Sequence, residues 1–310
     1  MGKTWLEVAL NGGLTRESQP HVPVSVEEIV ADGIACVKAG AAIVHVHSYD
    51  VATGRQKDDA DLYARIIDGI RSQVDAIVYP TVIGGTRGGS EVTVVGPERY
   101  AAVKALAERG LLEWTVCDPG STNIALYAGL SRGWKSSVYV NTESDIRTGL
   151  ALAEEHGLVP SYAIYEPGFL RLGAALAEHY PSLKTPVYRF MFSDRMTFGF
   201  APRDYALDAY LAMLQEYAAG APWMIAGLMV DVTPLMARTV AAGGHVRVGL
   251  EDAHHRNERT NVQFVEAAEG DCARRRIARD GGRGPRFGLT RRVRHFAEDS
   301  EPLLGAQCRH

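Results

Sequence analysis

The chain has 310 residues, 46% of them hydrophobic, with a formal charge of -4 and a pI near 6.2. That is ample for one large α/β domain or two ordinary ones, and it gives no global basic field for a nucleic acid or an anionic membrane surface. No stretch approaches the roughly 20 apolar residues of a membrane span or forms a signal peptide, and Cys36, Cys117, Cys272 and Cys308 make no CxxC pair, so the expectation is a reduced cytoplasm without disulfides or a thiolate zinc site.

Short apolar runs rich in β-branched residues alternate with longer amphipathic ones. In chain order the reading is strand 5–10, helix 26–38, strand 43–47, helix 60–71, strand 76–82, helix 97–108, strand 112–117, helix 143–155, strand 160–165, helix 169–179, strand 187–192, helix 203–217, strand 223–228, helix 234–242, strand 246–251 and helix 261–268. Ser25 and Glu28 form a capping box at the first helix, and Pro97 takes a first-turn position in the third. Eight strand and helix pairs at a spacing of roughly 30 residues predict a (β/α)8 TIM barrel, with a doubly wound open sheet as the alternative.

Residues 1–270 are assigned to the barrel, and composition changes after them. Residues 271–310 hold ten arginines, no lysine and five acidic residues, near +5, whereas residues 1–270, with 23 basic and 32 acidic residues, are near -9. The segment "CARRRIARDGGRGPRFGLTRRVRHF" has neither helical nor strand periodicity and is expected to be a poorly ordered surface tail. A basic arm for an anionic partner and a product of a shifted reading frame are the other readings.

In "AAIVHVHSYD", residues 41–50, side chains alternate, so His45 and His47 share one face of a strand that otherwise reads as core. At the C-terminal end of a barrel strand such a pair is a two-point metal ligand or two hydrogen-bonded residues of the barrel mouth. "GGHVRVGLED", residues 243–252, supplies a third donor in Glu251 at the end of the eighth strand, which closes back near the first two. Two imidazoles and a carboxylate suit zinc or another ion of intermediate hardness. Asp252 is then free to act as a general base. Arg247, four residues before Glu251, is a cation for a substrate carboxylate, or the partner of Glu251 in a barrel-mouth ion pair.

These stretches resemble the β-keto acid cleavage enzymes, whose founding activity is the 3-keto-5-aminohexanoate cleavage enzyme. Besides the two segments just quoted, "NGGLTRESQPHVPVSVEEI", "DPGSTN" and "VPSYAIYEPG" carry the likeness, in order across residues 8–268. The resemblance implies a (β/α)8 barrel with one zinc ion per chain in a homo-oligomer, a dimer or tetramer. It implies His45, His47 and Glu251 as metal ligands, Asp252 and Arg247 as catalytic residues, and Ser121, Thr81, Glu166 and Asn11 as substrate contacts. The implied reaction converts a 3-keto acid and acetyl-CoA into acetoacetate and a new acyl-CoA. Nucleic acid and membrane are not among the expected partners.

The chain departs from the family in places. Gly13 stands where the founding activity uses a glutamate for its substrate's ammonium, so 3-keto-5-aminohexanoate is not the expected substrate. Ser48, Tyr49 and Asp50 replace the usual arginine and aspartate after the second histidine, and "FSDRMTFGF" lacks the usual glycine-rich run. The glycines of "IGGTRGGS" read as a barrel loop, having neither a P-loop lysine nor GxGxxG spacing. His254 and His255 read as loop residues, Met224, Met229 and Met236 as core, and GxSxG is absent. Two other functions fit the same residues: a metal-dependent aldolase or lyase working without CoA, and a barrel kept for binding or assembly.

Overall fold

The computed structural model describes residues 4–276 apart from 83–84, 89–90, 93–95 and 135, with backbone alone for 85–92 and 272–276. Eight parallel strands form the central sheet: β1 (Leu6–Ala9), β2 (Ile43–Val46), β3 (Ile77–Pro80), β4 (Trp114–Val116), β5 (Val159–Ile164), β6 (Val187–Phe192), β7 (Trp223–Gly227) and β8 (His245–Val248). Their lateral order is β3-β2-β1-β8-β7-β6-β5-β4. The first strand therefore pairs with both the second and the eighth, with Glu7 beside Arg247 and Ala9 beside His45. An open doubly wound sheet would not join its first and last strands. The sheet is thus a barrel, nearly closed, with β3 and β4 side by side at the seam.

The helices that cover it are α1 (Val26–Lys38), α2 (Ala60–Arg71), α3 (Ala101–Glu108), α4 (Glu143–Glu155), α5 (Pro167–Ala177), α6 (Asp204–Tyr217), α7 (Thr233–Ala241) and α8 (Asn261–Arg276). The Ser25 and Glu28 capping box is present at α1, and Thr142 with Asp145 makes a second at α4 that the sequence reading missed. Pro97 lies in a tight 3-10 turn, Gly96–Tyr100, and the α-helix starts only at Ala101. At the other end, α8 runs eight residues past the expected 268. Its last six residues, 271–276, contain alanine and arginine, both good helix formers, and no glycine. The rest of the Arg-rich tail lies outside the described residues.

Two excursions were not legible in the sequence. Gly85–Gly88, read as a loop, is a strand that pairs antiparallel with Ser137–Val140. With Glu91–Val92 and Thr122–Ile124 it makes a four-stranded sheet from the connections after β3 and β4. A hairpin, Tyr49–Asp50 with Arg55–Gln56, follows β2.

An aromatic column fills the barrel. His245 stacks on Trp5 at 3.9 Å, Trp5 meets Trp114 edge-on at 6.1 Å, Trp114 meets Tyr79 at 5.8 Å, and Tyr79 reaches His45 at 4.8 Å. Met224 and Met236 are buried as expected, whereas Met229 is half-buried with a φ of 56°. Among the described residues no helix is long and apolar enough to cross a membrane, and Cys36 and Cys117 are free and buried.

Candidate metal centre

β2 ends at Val46, and His47 follows it without a ladder of its own. Asn11 supplies the missing pairing: its Oδ1 accepts from the His47 amide at 2.9 Å, and its Nδ2 donates to the His47 carbonyl at 3.0 Å and to Pro23 O at 3.1 Å. A side-chain amide thus extends the β1 and β2 ladder by one residue and fixes the second histidine. Tyr49 has a related part, since its buried hydroxyl faces the carbonyls of Asn11 (3.2 Å), Leu14 (2.9 Å) and Gly12. The Ser48-Tyr49-Asp50 departure is therefore built into the hairpin and pins the segment after β1.

That segment lies against Glu251. A Cβ on Gly12, whose φ is 53°, would come within 2.7 Å of Glu251 Cγ, so glycine is required there. On the other side, β8 stops three residues before the expected 251. Gly249, at φ 137°, turns the chain where a Cβ would lie 2.2 Å from Ala9 O. This turn throws Glu251 and Asp252 across the mouth instead of leaving them on the strand.

His45 Nε2 and His47 Nε2 each lie 3.6 Å from Glu251 Oε2. The donor atoms of all three residues fall within 4.8 Å of one another. Among the described contacts, His47 Nε2 and Glu251 Oε2 have no hydrogen-bond partner although both are buried. Orphaned polar atoms in a protein interior need an explanation. A common metal ion supplies one, because two ligands at about 2.0–2.1 Å from a tetrahedral ion stand roughly 3.3–3.5 Å apart. The residues present fit the ion that the family resemblance implies.

Burial keeps His45 neutral by pushing its pKa well down, the state a metal needs. Burial alone would raise the Glu251 carboxyl, but the Arg247 charge beside it outweighs burial and holds that carboxyl well below its usual range. Asp252 behaves differently: burial wins over the same arginine and raises it. Two adjacent carboxylates therefore separate into a ligand that stays ionised and a base with some proton affinity.

Arg247 is the hub. Its Nε and Nη2 donate to the two Asp252 oxygens at 3.0 and 2.8 Å, Nη2 also lies 2.8 Å from Glu251 Oε1, and Nη1 donates to Glu7 Oε1 at 3.2 Å. Below it, Glu7 accepts from Tyr79 OH at 2.8 Å, and Arg189 Nη1 donates to that hydroxyl at 3.0 Å. Arg189 Nη2 stands 4.0 Å from Asp118, which also accepts from Tyr139 OH at 2.6 Å. Arg247 and Arg189 thus tie Glu7, Asp118, Glu251 and Asp252 into one cluster under the mouth.

The sequence reading found His45, His47, Glu251, Asp252 and Arg247, and the fold brings all five together. Thr81, Ser121 and Glu166 follow β3, β4 and β5 on the same face. Their hydrogen bonds stay local: Thr81 Oγ1 to Val82 O at 3.3 Å, Ser121 Oγ to Asn141 O at 3.0 Å, and Thr122 Oγ1 to Glu166 at 3.0 Å. His254 is half-buried and His255 exposed in the loop after Asp252. The reading missed Glu7, Tyr79, Asp118 and Arg189. The signal was available: "WLEVAL" and "VYRFMF" each carry a lone charge inside an apolar strand, and a buried charge requires a partner.

A family model described as "beta-keto acid cleavage enzyme" matches residues 3–281. The 3-keto-5-aminohexanoate cleavage enzyme of Fusobacterium nucleatum is 25% identical over 286 residues, 91% of this chain and 94% of that one. The 3-dehydrocarnitine:acetyl-CoA trimethylamine transferase of Rhizobium meliloti is 29% identical over 280 residues, 86% and 89% of the two chains. Among solved structures, the binary complex of ObcA with oxaloacetate superposes with a TM-score of 0.63 at 15% identity, and the likeness there is one of fold. The chain covers 64% of the ObcA chain, less than two thirds of its length, and 83% of this chain is matched.

Proposed function

The chain belongs to the β-keto acid cleavage enzyme family, and from that membership we propose that it is a carbon–carbon bond-cleaving transferase that converts a 3-keto acid and acetyl-CoA into acetoacetate and a new acyl-CoA. The observation that carries the reading is the convergence of unpartnered His and Glu donor atoms beside Asp252, a base oriented by Arg247. Relatives named for acetyl-CoA transfer support the co-substrate.

When bound by His45, His47 and Glu251, one zinc ion supplies Lewis acidity for the keto oxygen and so acidifies the adjacent carbon. Asp252 takes the C2 proton, a task suited to a carboxylate whose burial raises its proton affinity. The C2 carbanion bonds to the thioester carbonyl carbon, the CoA thiolate passes to the keto carbon, and the C2–C3 bond breaks. Asp252 returns its proton to the acetoacetate carbanion while the new thioester leaves. Arg247 has committed most of its N–H groups to Asp252, Glu251 and Glu7, so its part is to aim the base. Thr81, Ser121 and Glu166 are the substrate contacts around the mouth, and Asn11 acts through the His47 backbone.

Gly13 is exposed, and a side chain there would meet Gln56 Oε1 within 2.8 Å. No carboxylate stands at that position for a cationic tail, so neutral tails are preferred. The test gives zinc-loaded protein acetyl-CoA and 3-keto acids with apolar, carboxylated and cationic tails, and follows thioesters by mass. Asp252→Asn and His45→Ala should each abolish product, by at least about a hundredfold for the base. Turnover in the absence of acetyl-CoA would instead identify a lyase.

A further inference from the structure

The hairpin after β2 carries a polar side chain that the fold leaves unengaged. Tyr49 and Gln56 stand directly opposite each other in its two strands, as do Asp50 and Arg55. Opposed residues of an antiparallel pair share a face, and Tyr49 shows which one, since its hydroxyl reaches the carbonyls of Asn11, Gly12 and Leu14. Gln56 therefore lies over the same segment, while Asp50 and Arg55 point the other way. The approach is close: a Cβ on Gly13 would meet Gln56 Oε1 at 2.8 Å, and among the described residues only Gln56 comes within 4 Å of that point. Its side-chain amide makes no hydrogen bond to any described residue. We propose that Gln56 is a specificity-determining residue whose amide receives a neutral hydrogen-bonding group, a hydroxyl or a carbonyl, on the tail of the 3-keto acid, an assignment that rests on the reaction proposed above.

Position and charge carry it. Gly12 abuts Glu251, with its would-be Cβ 2.7 Å from Glu251 Cγ, and the exposed Gly13 follows. A keto group held at His45, His47 and Glu251 thus has beside it a floor of two glycines for its tail, and the Gln56 amide stands over that floor. The nearby cations are engaged elsewhere, Lys57 with Asp59 at 2.9 Å and Arg16 with Glu28 at 2.6 Å. An amide offers a donor and an acceptor but no charge. It therefore matches a hydroxyl or a carbonyl, leaves an ammonium or a carboxylate without a counter-ion, and gives an alkyl group no hydrogen bond. Gln56 is half-buried on a two-residue strand, so its replacement changes the lining of the mouth without entering the core.

Matched substrates test this: 3-ketohexanoate and its 5-hydroxy and 5-amino counterparts. Each is given with acetyl-CoA to zinc-loaded protein, and butyryl-CoA, 3-hydroxybutyryl-CoA and 3-aminobutyryl-CoA are followed by mass. In the unaltered protein kcat/KM should favour the 5-hydroxy acid over 3-ketohexanoate by at least about fivefold. Gln56→Leu should abolish that preference, with kcat/KM for 3-ketohexanoate moving less than about twofold. Gln56→Glu should raise the 5-amino acid relative to the 5-hydroxy acid by at least about tenfold, because a carboxylate pairs with the ammonium. Equal losses on all the substrates in both variants would make Gln56 a prop for the hairpin and overturn the assignment, as would substrate ratios that stay within about twofold of the unaltered protein's. Failure of the functional reading looks different: no thioester would form from any of the substrates, and acetoacetate would exchange no deuterium at C2.

Discussion

Glu7 is fully buried, and Tyr79, Arg247 and Arg189 surround one of its oxygens at 2.8, 3.2 and 3.6 Å. Taking its charge away leaves two arginines facing each other in a dry interior. Glu7→Gln is therefore expected to cost about 3–5 kcal/mol, the usual penalty for breaking a buried pair from one side, and to lower kcat with zinc content unchanged. Arg16 and Glu28 form an equally short pair, but both side chains are about half exposed, and Arg16→Ala should cost less than about 1 kcal/mol. Denaturant unfolding of the two variants checks the contrast; equal losses would show that Glu7 is not held by its charge. Burial of Glu7 could be read from its apolar neighbours in the sequence. Its partners could not, because they come from strands 72, 182 and 240 residues away.

At the scale of elements, most helix and strand positions were legible because period and caps are local properties. The element ends near the site were not. β8 was expected to run to Glu251, yet it stops at Val248 because Gly249 must pass within touching distance of the Ala9 carbonyl. That close approach exists only when β1 lies beside β8. Gly249→Ala brings a Cβ to 2.2 Å from backbone oxygen at a φ that side chains rarely adopt, and it should displace Glu251 and Asp252 together. Zinc affinity at least tenfold weaker in a protein that still shows native circular dichroism is the expected outcome. At α1 the effect is smaller: Ser25→Ala removes one side of the capping box and should cost about 1 kcal/mol in unfolding free energy.

For the whole molecule, the unpartnered donor atoms of His47 and Glu251 predict that a divalent cation acts as a folding ligand. Chelation should lower the melting temperature, and zinc in excess should restore it by mass action; a melting curve indifferent to both would remove the metal centre. A pH effect is expected at the opposite end of the barrel. His245 accepts from the Trp5 amide at 3.0 Å, and burial lowers its pKa to about 4. The unfolded chain takes up that proton near pH 6.5, before the folded one does. This contribution is complete above that value and is lost as pH falls toward 4, up to about 3 kcal/mol. His245→Phe should flatten the fall in melting temperature between pH 7 and pH 5 relative to the unaltered chain.

Chain order and period were enough for the barrel, and five residues in two short segments were enough for a candidate metal site with a candidate base beside it, because alternation along a strand and the common exit face of barrel strands are rules of local geometry. What only the folded structure decided is which charges answer one another. Glu7, Tyr79 and Arg189 stand on strands with no motif of their own, Asp118 opens a segment whose likeness says nothing of its partners, and barrel closure alone sets them under Arg247. The same closure exempts His47 from an ordinary ladder and gives it the Asn11 amide instead. Packing of the last two strands against the last two helices likewise leaves a cavity, lined from Gly227 to Asp271, that no spacing in the sequence announces, since its walls meet only when those elements are stacked.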